Sequence, residues 1–296
     1  EAIFLGLYLY GWDRLPPRAH LLTGIPVVLG GVASAAFVTT ANAWMNGPVG
    51  LVEDADGALV AAEPLGPFLA ATAAPQLVHM VLGAFLCTGF AVAAVYAVAI
   101  LRDPARDDGY HRRGLLAGAV LGLVTAPLQV LAGDWATRAV AENQPAKFAA
   151  MEGLARTTDG APFTVGGTFD ERTGELTGAI EIPRLLSVLL TGDPDARITG
   201  LDAIPAADRP PVTITHTAFE VMIVIGTALL ALSVWSLWLL RKRRHPADDR
   251  RFLWALAAAG PAPFVALLAG WIVTEVKRRY LPGTSHRSYR AAVTAL

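Results

Sequence analysis

The sequence predicts an all-α protein, a polytopic transmembrane helix bundle with one large loop on the outer membrane face. Three observations predict it. Of 296 residues, 54% are hydrophobic and only 17% charged, where soluble domains average about 25% charged. Five uncharged runs, residues 21–41, 76–101, 114–133, 221–240 and 252–274, are each long enough to cross a bilayer, which takes about 20 residues of helix. The segments joining them alternate in charge, as the two faces of a membrane require.

In chain order, Glu1 opens a short apolar stretch over 2–10. At about 1.5 Å per residue it covers less than half of the hydrocarbon core, so further helices are expected to precede it. Residues 11–22 carry Arg14 and Arg18, residues 102–113 carry four Arg and His111, and residues 241–251 read RKRRHPADDRR. These short basic segments are assigned to the cytoplasmic face. Residues 42–75 hold Glu53, Asp54, Asp56 and Glu63 without Lys or Arg, and residues 134–215 hold twelve acidic residues against seven basic ones. Both are assigned to the outer face. The division expected is a partial helix and three full spans over 1–133, an outer loop over 134–215, two spans over 216–275 and a divergent outer tail over 276–296. The net charge of −1 averages two unlike faces and excludes no partner class. The single Cys87 lies within an apolar run, where a lone thiol packs.

Several polar groups stand out against this background. Glu1 is an ionisable group in an apolar helix, which marks either an ion path or the end of the chain. In GWDR, residues 11–14, Trp12 suits the headgroup zone and Asp13 pairs with Arg14 or caps the next helix. His20 reads as interfacial rather than as a ligand. Ser34 and Asn42 fall roughly on one helix face, fit for a proton path or for plain helix–helix hydrogen bonding. His79 lies about one turn inside the outer end of its span, followed by the small residues Gly83 and Ala84. Met222 lies at matching depth in another span. A lone His or Met in an apolar run is ordinarily core, but together they form a known axial pair for haem iron. Trp271 and Glu275 are one turn apart at the outer end of the last span, where a carboxylate can ligate, relay protons or simply end the helix. Within QPAKFAAMEG, residues 144–153, Lys147 and Glu152 are about 140° apart on a helix-prone run. They can grip a polar headgroup from two sides; periodicity alone favours a solvated helix.

Taken together, these pieces resemble subunit I of the cytochrome bd-type quinol oxidases. The matching pieces are GWDR, NAWMNGPVG at 42–50, the His79 span, Gly133-Asp134, QPAKFAAMEG, IEIPRLLSVLLTGDPDARITGLD at 180–202, HTAFEVM at 216–222 and AGWIVTE at 269–275. They run collinearly to Glu275. The resemblance implies a multi-pass respiratory-chain oxidoreductase of the bacterial inner membrane. Such an enzyme oxidises quinol, menaquinol or ubiquinol, reduces dioxygen to water and contributes to proton motive force. It implies a low-spin haem b held by His79 and Met222 and a high-spin haem b ligated by Glu275 beside Trp271. A third haem, d or b, and a second subunit in the lipid bilayer complete the set; no nucleic acid is expected. It also makes Lys147 and Glu152 the quinol site, and Glu1, Ser34 and Asn42 the proton route. Two departures accompany it. The family's first helix, which bears a haem-ligating His, the next helix, most of the third with its other acidic residue, and the last helix have no counterpart here. After Glu275 the family reads G-R-Q-P-W, where this chain has KRRYL with only Arg278 in register. This portion alone is therefore expected to be inactive. A haem- and quinone-binding electron-transfer subunit without oxygen reduction is the alternative. A haem-free transporter would need charges facing a substrate, and the spans have almost none.

Overall fold

A computed structural model of the chain describes residues 1–54, 59–103 and 109–276. Arg278 and the tail after Val276 lie outside the described residues. The helices are α1 (Ala2–Tyr10), α2 (Pro17–Asn46), α3 (Gly66–Leu69), α4 (Ala73–Arg102), α5 (Tyr110–Asn143), α6 (Pro145–Met151), α7 (Leu185–Thr191), α8 (Val212–Arg241), α9 (Arg250–Ala259) and α10 (Ala262–Glu275). The strands are β1 (Leu51–Glu53), β2 (Leu59–Ala62), β3 (Thr158–Asp159), β4 (Phe163–Val165), β5 (Thr168–Asp170), β6 (Glu175–Thr177), β7 (Ile180–Ile182) and β8 (Arg197–Ile198). Each of the five expected spans falls within a helix or helix pair long and apolar enough to cross a membrane: α2, α4, α5, α8 and the run Arg250–Glu275. The all-α membrane architecture is therefore as expected.

Contacts divide the chain into two compact units, Glu1–Val81 and Leu82–Leu296. In the first, α1 packs on α2. His20 fastens them. Its ring stacks on Tyr8 at a 5.1 Å centroid separation, meets Trp12 at 4.6 Å, and its Nε2 lies 2.7 Å from the Tyr8 carbonyl oxygen. It is buried, because two aromatic side chains cover it. Asp13 does not cap α2, whose N-cap is Pro16 with no side-chain hydrogen bond. The β1–β2 hairpin leads on to α3.

The second unit is built on α4, α5, α8 and α9. Leu86 and Phe90 of α4, Leu115 of α5, Leu229 and Leu239 of α8, and Phe252 of α9 form its principal apolar core; Cys87 is buried as well. Small residues set how closely the helices cross. A β-carbon on Gly118 would sit 2.6 Å from the Ala93 nitrogen and 2.7 Å from the Gly89 carbonyl oxygen, so α4 and α5 touch backbone to backbone, as membrane helices do at small-residue seams. Gly118→Val is expected to overpack this seam and destabilise the fold by about 1–3 kcal/mol or more. A lowered melting temperature in detergent would register it; an unchanged one would mean the helices can part at no cost.

Two features differ from the sequence expectation. The last span is not one continuous helix but breaks between α9 and α10, at Gly260 and Pro261, because proline lacks the N–H that an unbroken helix needs. Helix α5 continues to Asn143, ten residues into the segment expected as loop, helped by the Arg138–Asp134 ion pair at 2.8 Å and i,i+4 spacing. Beyond α6 the loop forms nested antiparallel pairs, β3 with β8, β4 with β7 and β5 with β6.

Candidate functional site

The loop is fastened to the ends of α5, α8 and α10 through a second apolar core. Val140, Phe148, Met151, Leu186, Ile198, Phe219 and Val273 are among its buried members. Pro145, at the first position of α6, starts that helix directly after Gln144, where a missing N–H does no harm. All six residues from Ala146 to Met151 are buried. The solvated helix that periodicity favoured is thus overturned: α6 is short enough for loop and bundle to enclose it on every side.

Gly153 ends the turn with φ +63°, in the left-handed region that favours glycine. Glycine is required there twice over, since a β-carbon would also lie 3.3 Å from the His216 ring. Downstream, Leu201 and Asp202 donate their N–H groups to the carbonyls of Leu154 and Ala155 at 2.9 and 3.0 Å. The Thr157 hydroxyl donates to Asp202 Oδ1 at 2.7 Å, and this bond, with neighbouring backbone N–H groups, holds the Asp202 carboxyl below its ordinary range.

The polar centre lies inside this frame. Lys147 is 2% exposed and Glu152 4%, unusual burial for charged side chains. The Lys147 Nζ donates to the Thr274 carbonyl at 3.1 Å, at the end of α10. The Glu152 carbonyl accepts from the Thr164 hydroxyl at 3.1 Å. Burial, and next the negative charge of Glu220, push the Glu152 carboxyl up to about 8. Two further ionisable groups belong to the cluster and were not singled out from sequence. His216 is fully buried, with Nδ1 2.8 Å from the Met151 carbonyl oxygen. Glu220, also buried, accepts from the Gly166 N–H at 2.7 Å. Their i,i+4 spacing at the entrance of a span was the available signal, because an ionisable group there marks a site by default.

The other expected residues are placed as follows. Met222 is half-buried on α8, and a β-carbon on Gly270 of α10 would lie 3.2 Å from its Sδ; the tight α8–α10 contact depends on that glycine. Trp271 and Glu275 are half-buried in the last turns of α10. His79 is half-buried on α4, one turn before Gly83. Glu1 packs beside Gly30, with its Cβ 3.2 Å from where a side chain on Gly30 would begin, one turn from Ser34 on α2. Ser34 is exposed and Asn42 buried, the latter accepting from Asn46 Nδ2 at 2.9 Å through its carbonyl. The second unit thus brings Lys147, Glu152, His216 and Glu220 into one cluster. The first places Glu1 and Ser34 near one another, with Asn42 two turns further along α2.

Residues 1–279 match the sequence family described as cytochrome bd terminal oxidase subunit I. The chain is 32% identical over 280 residues to a Bacillus subtilis (strain 168) protein provisionally named a cytochrome bd menaquinol oxidase subunit I, covering 92% of this chain and 61% of that one. It is 29% identical over 293 residues to the cytochrome bd ubiquinol oxidase subunit 1 of the same organism, covering 94% and 61%. Its structure is similar to that of the bd oxidase from Geobacillus thermodenitrificans, with a TM-score of 0.86 and 34% identity, over 97% of this chain and 66% of that one. The chain therefore spans about three-fifths of the length of the curated relatives it matches.

Proposed function

The chain belongs to the cytochrome bd terminal oxidase subunit I family and is a multi-pass bacterial membrane protein, and on that premise we propose that it is the quinol-oxidising part of a quinol:dioxygen oxidoreductase, working with a second subunit. The observation that carries the proposal is the buried cluster under the loop. A lysine and a carboxyl held almost out of water at the end of a membrane span suit a substrate with an apolar body and a hydroxyl-bearing head. We place the loop on the outer face, since the segments at the opposite ends of its flanking spans are basic.

Quinol oxidation releases two protons and two electrons. The Lys147 ammonium binds a substrate oxygen. The ionised Glu152 carboxylate accepts a proton from the substrate hydroxyl and passes it to the outer side. Covered by the loop, the pair works in low dielectric, where a charge-assisted hydrogen bond is strong. Bound haem supplies one-electron acceptors between quinol and dioxygen. The residues suit it: His79 and Met222 would supply imidazole and thioether for the low-spin haem b, and Glu275 a carboxylate for the high-spin haem b, with Trp271 one turn away on α10. Gly226, one turn along α8 from Met222, has nothing within 4 Å of where a side chain would begin, so open space adjoins that face of α8. Glu1, Ser34 and Asn42 carry protons inward. The third haem, d or b, belongs to the same proposal, as does a cofactor-binding role for Arg278, which lies outside the described residues.

The test is quinol-dependent oxygen uptake by the full-length gene product in its membrane, with Lys147→Met as the variant. Loss of a charge-assisted hydrogen bond of about 1.5–3 kcal/mol is expected to raise KM for quinol roughly tenfold or more. An unchanged KM removes Lys147 from the site. Haem reduction by quinol without oxygen uptake would favour the narrower function, electron transfer alone.

A further inference from the structure

Glu220 has no role in the chemistry described so far, yet it is buried on α8 one turn from His216, and the two side chains share a face. Both reach the same loop residue. The Gly166 N–H donates to Glu220 Oε2 at 2.7 Å, and the Gly166 carbonyl oxygen lies 3.3 Å from His216 Nε2. The other ring nitrogen of His216 is 2.8 Å from the Met151 carbonyl oxygen. Two residues before Gly166, the Thr164 hydroxyl donates to the Glu152 carbonyl at 3.1 Å. The backbone of Glu152 is thus tied to β4, and Gly166, directly after β4, is tied to α8 through its N–H, with the His216 ring set between the Met151 and Gly166 carbonyls.

We propose that Glu220 is a positioning residue for Glu152: it clasps the Gly166 turn to α8 and holds a second carboxylate beside the proton acceptor, which sets the pH range over which Glu152 takes a proton from substrate. This rests on the role given to Glu152 above. The ionisable groups on α6, which Glu152 caps, and on the loop-side ends of the elements packed against it are Lys147 on α6, Asp134, Arg138 and Glu142 on α5, Asp202 in the short helical turn Leu201–Ala203, and His216 and Glu220 on α8. Of these, it is the charge of Glu220 that joins burial in moving the Glu152 carboxyl upward, as like charges in a confined site do.

Three variants of the full-length enzyme test it. Glu220→Gln keeps an oxygen to accept from the Gly166 N–H and removes the charge. The rise of quinol oxidation with pH is then expected to move to lower pH, with KM for quinol near the parent value. Hydrogen exchange of the Gly166 segment, which needs no turnover, should stay protected. Glu220→Ala should give the same pH shift and lose that protection. Glu152→Gln is the control. If it oxidises quinol at the parent rate, the role of Glu152 itself fails. If it is inactive but the Glu220→Gln profile coincides with the parent, the electrostatic role of Glu220 alone is overturned. Unchanged exchange in Glu220→Ala overturns the clasp.

Discussion

Glu152→Gln is expected to cut quinol oxidation by at least two orders of magnitude and, at the same time, to make the protein more stable in alkali. The rate loss follows from removing a positioned proton acceptor, which contributes about 10²–10⁴-fold. The gain in stability follows from the state of the carboxyl. Burial and the Glu220 charge raise it from 4.5 to about 8 in the folded protein, while the unfolded chain keeps the ordinary value. Between those pH values the folded state binds a proton that the unfolded state does not, so stability falls as pH rises from about 4.5 to about 8. The full difference is on the order of 5 kcal/mol, at about 1.36 kcal/mol per pH unit. Glutamine has no such titration. Melting temperatures at pH 5 and pH 9 should therefore diverge less in the variant than in the parent. Equal pH dependence in both would mean that Glu152 is not the buried acid described here.

Met222→Leu is expected to abolish the low-spin haem b band in reduced-minus-oxidised spectra while leaving the helices assembled. Leucine has nearly the volume of methionine, and such exchanges in a core cost less than about 1.5 kcal/mol, so the α8–α10 contact over Gly270 survives. What is lost is the thioether. Under the proposal His79 and Met222 would hold the low-spin haem b, so His79→Ala should remove the same band. A Met222→Leu protein with the parent spectrum would take Met222 out of the ligand set.

The spans were legible because a bilayer demands long uncharged runs, and nothing in a soluble core imitates five of them. Their ends were less so. The continuation of α5 through Asp134 to Asn143 packs Val140 into the loop's core, while its charges, by themselves, read as the start of a loop. The break at Pro261 was visible as a proline, but hydropathy over a window does not register a missing N–H. The strands of the loop are two or three residues long in most cases, too short for an alternating pattern to emerge. Lys147 and Glu152 stood out in the sequence, but not their burial. That burial is made by loop and bundle residues distant in sequence, among them Leu186, Phe219 and Val273 of the surrounding core, and proximity of that kind leaves no local trace. His216 and Glu220 were read only as flanks of Met222, although their spacing put both on one face.

The hydrogen bond from Lys147 to the Thr274 carbonyl joins the loop to the end of α10, one residue before Glu275. A helix end has carbonyls without intrahelical donors, and here a side chain from the loop serves one of them. An ammonium carries three N–H donors, so a substrate bound there as proposed would share Lys147 with the helix end. Linkage would make the coupling reciprocal: by whatever factor occupancy of the loop shifts the end of α10, a group bound at that end would alter the affinity of the loop.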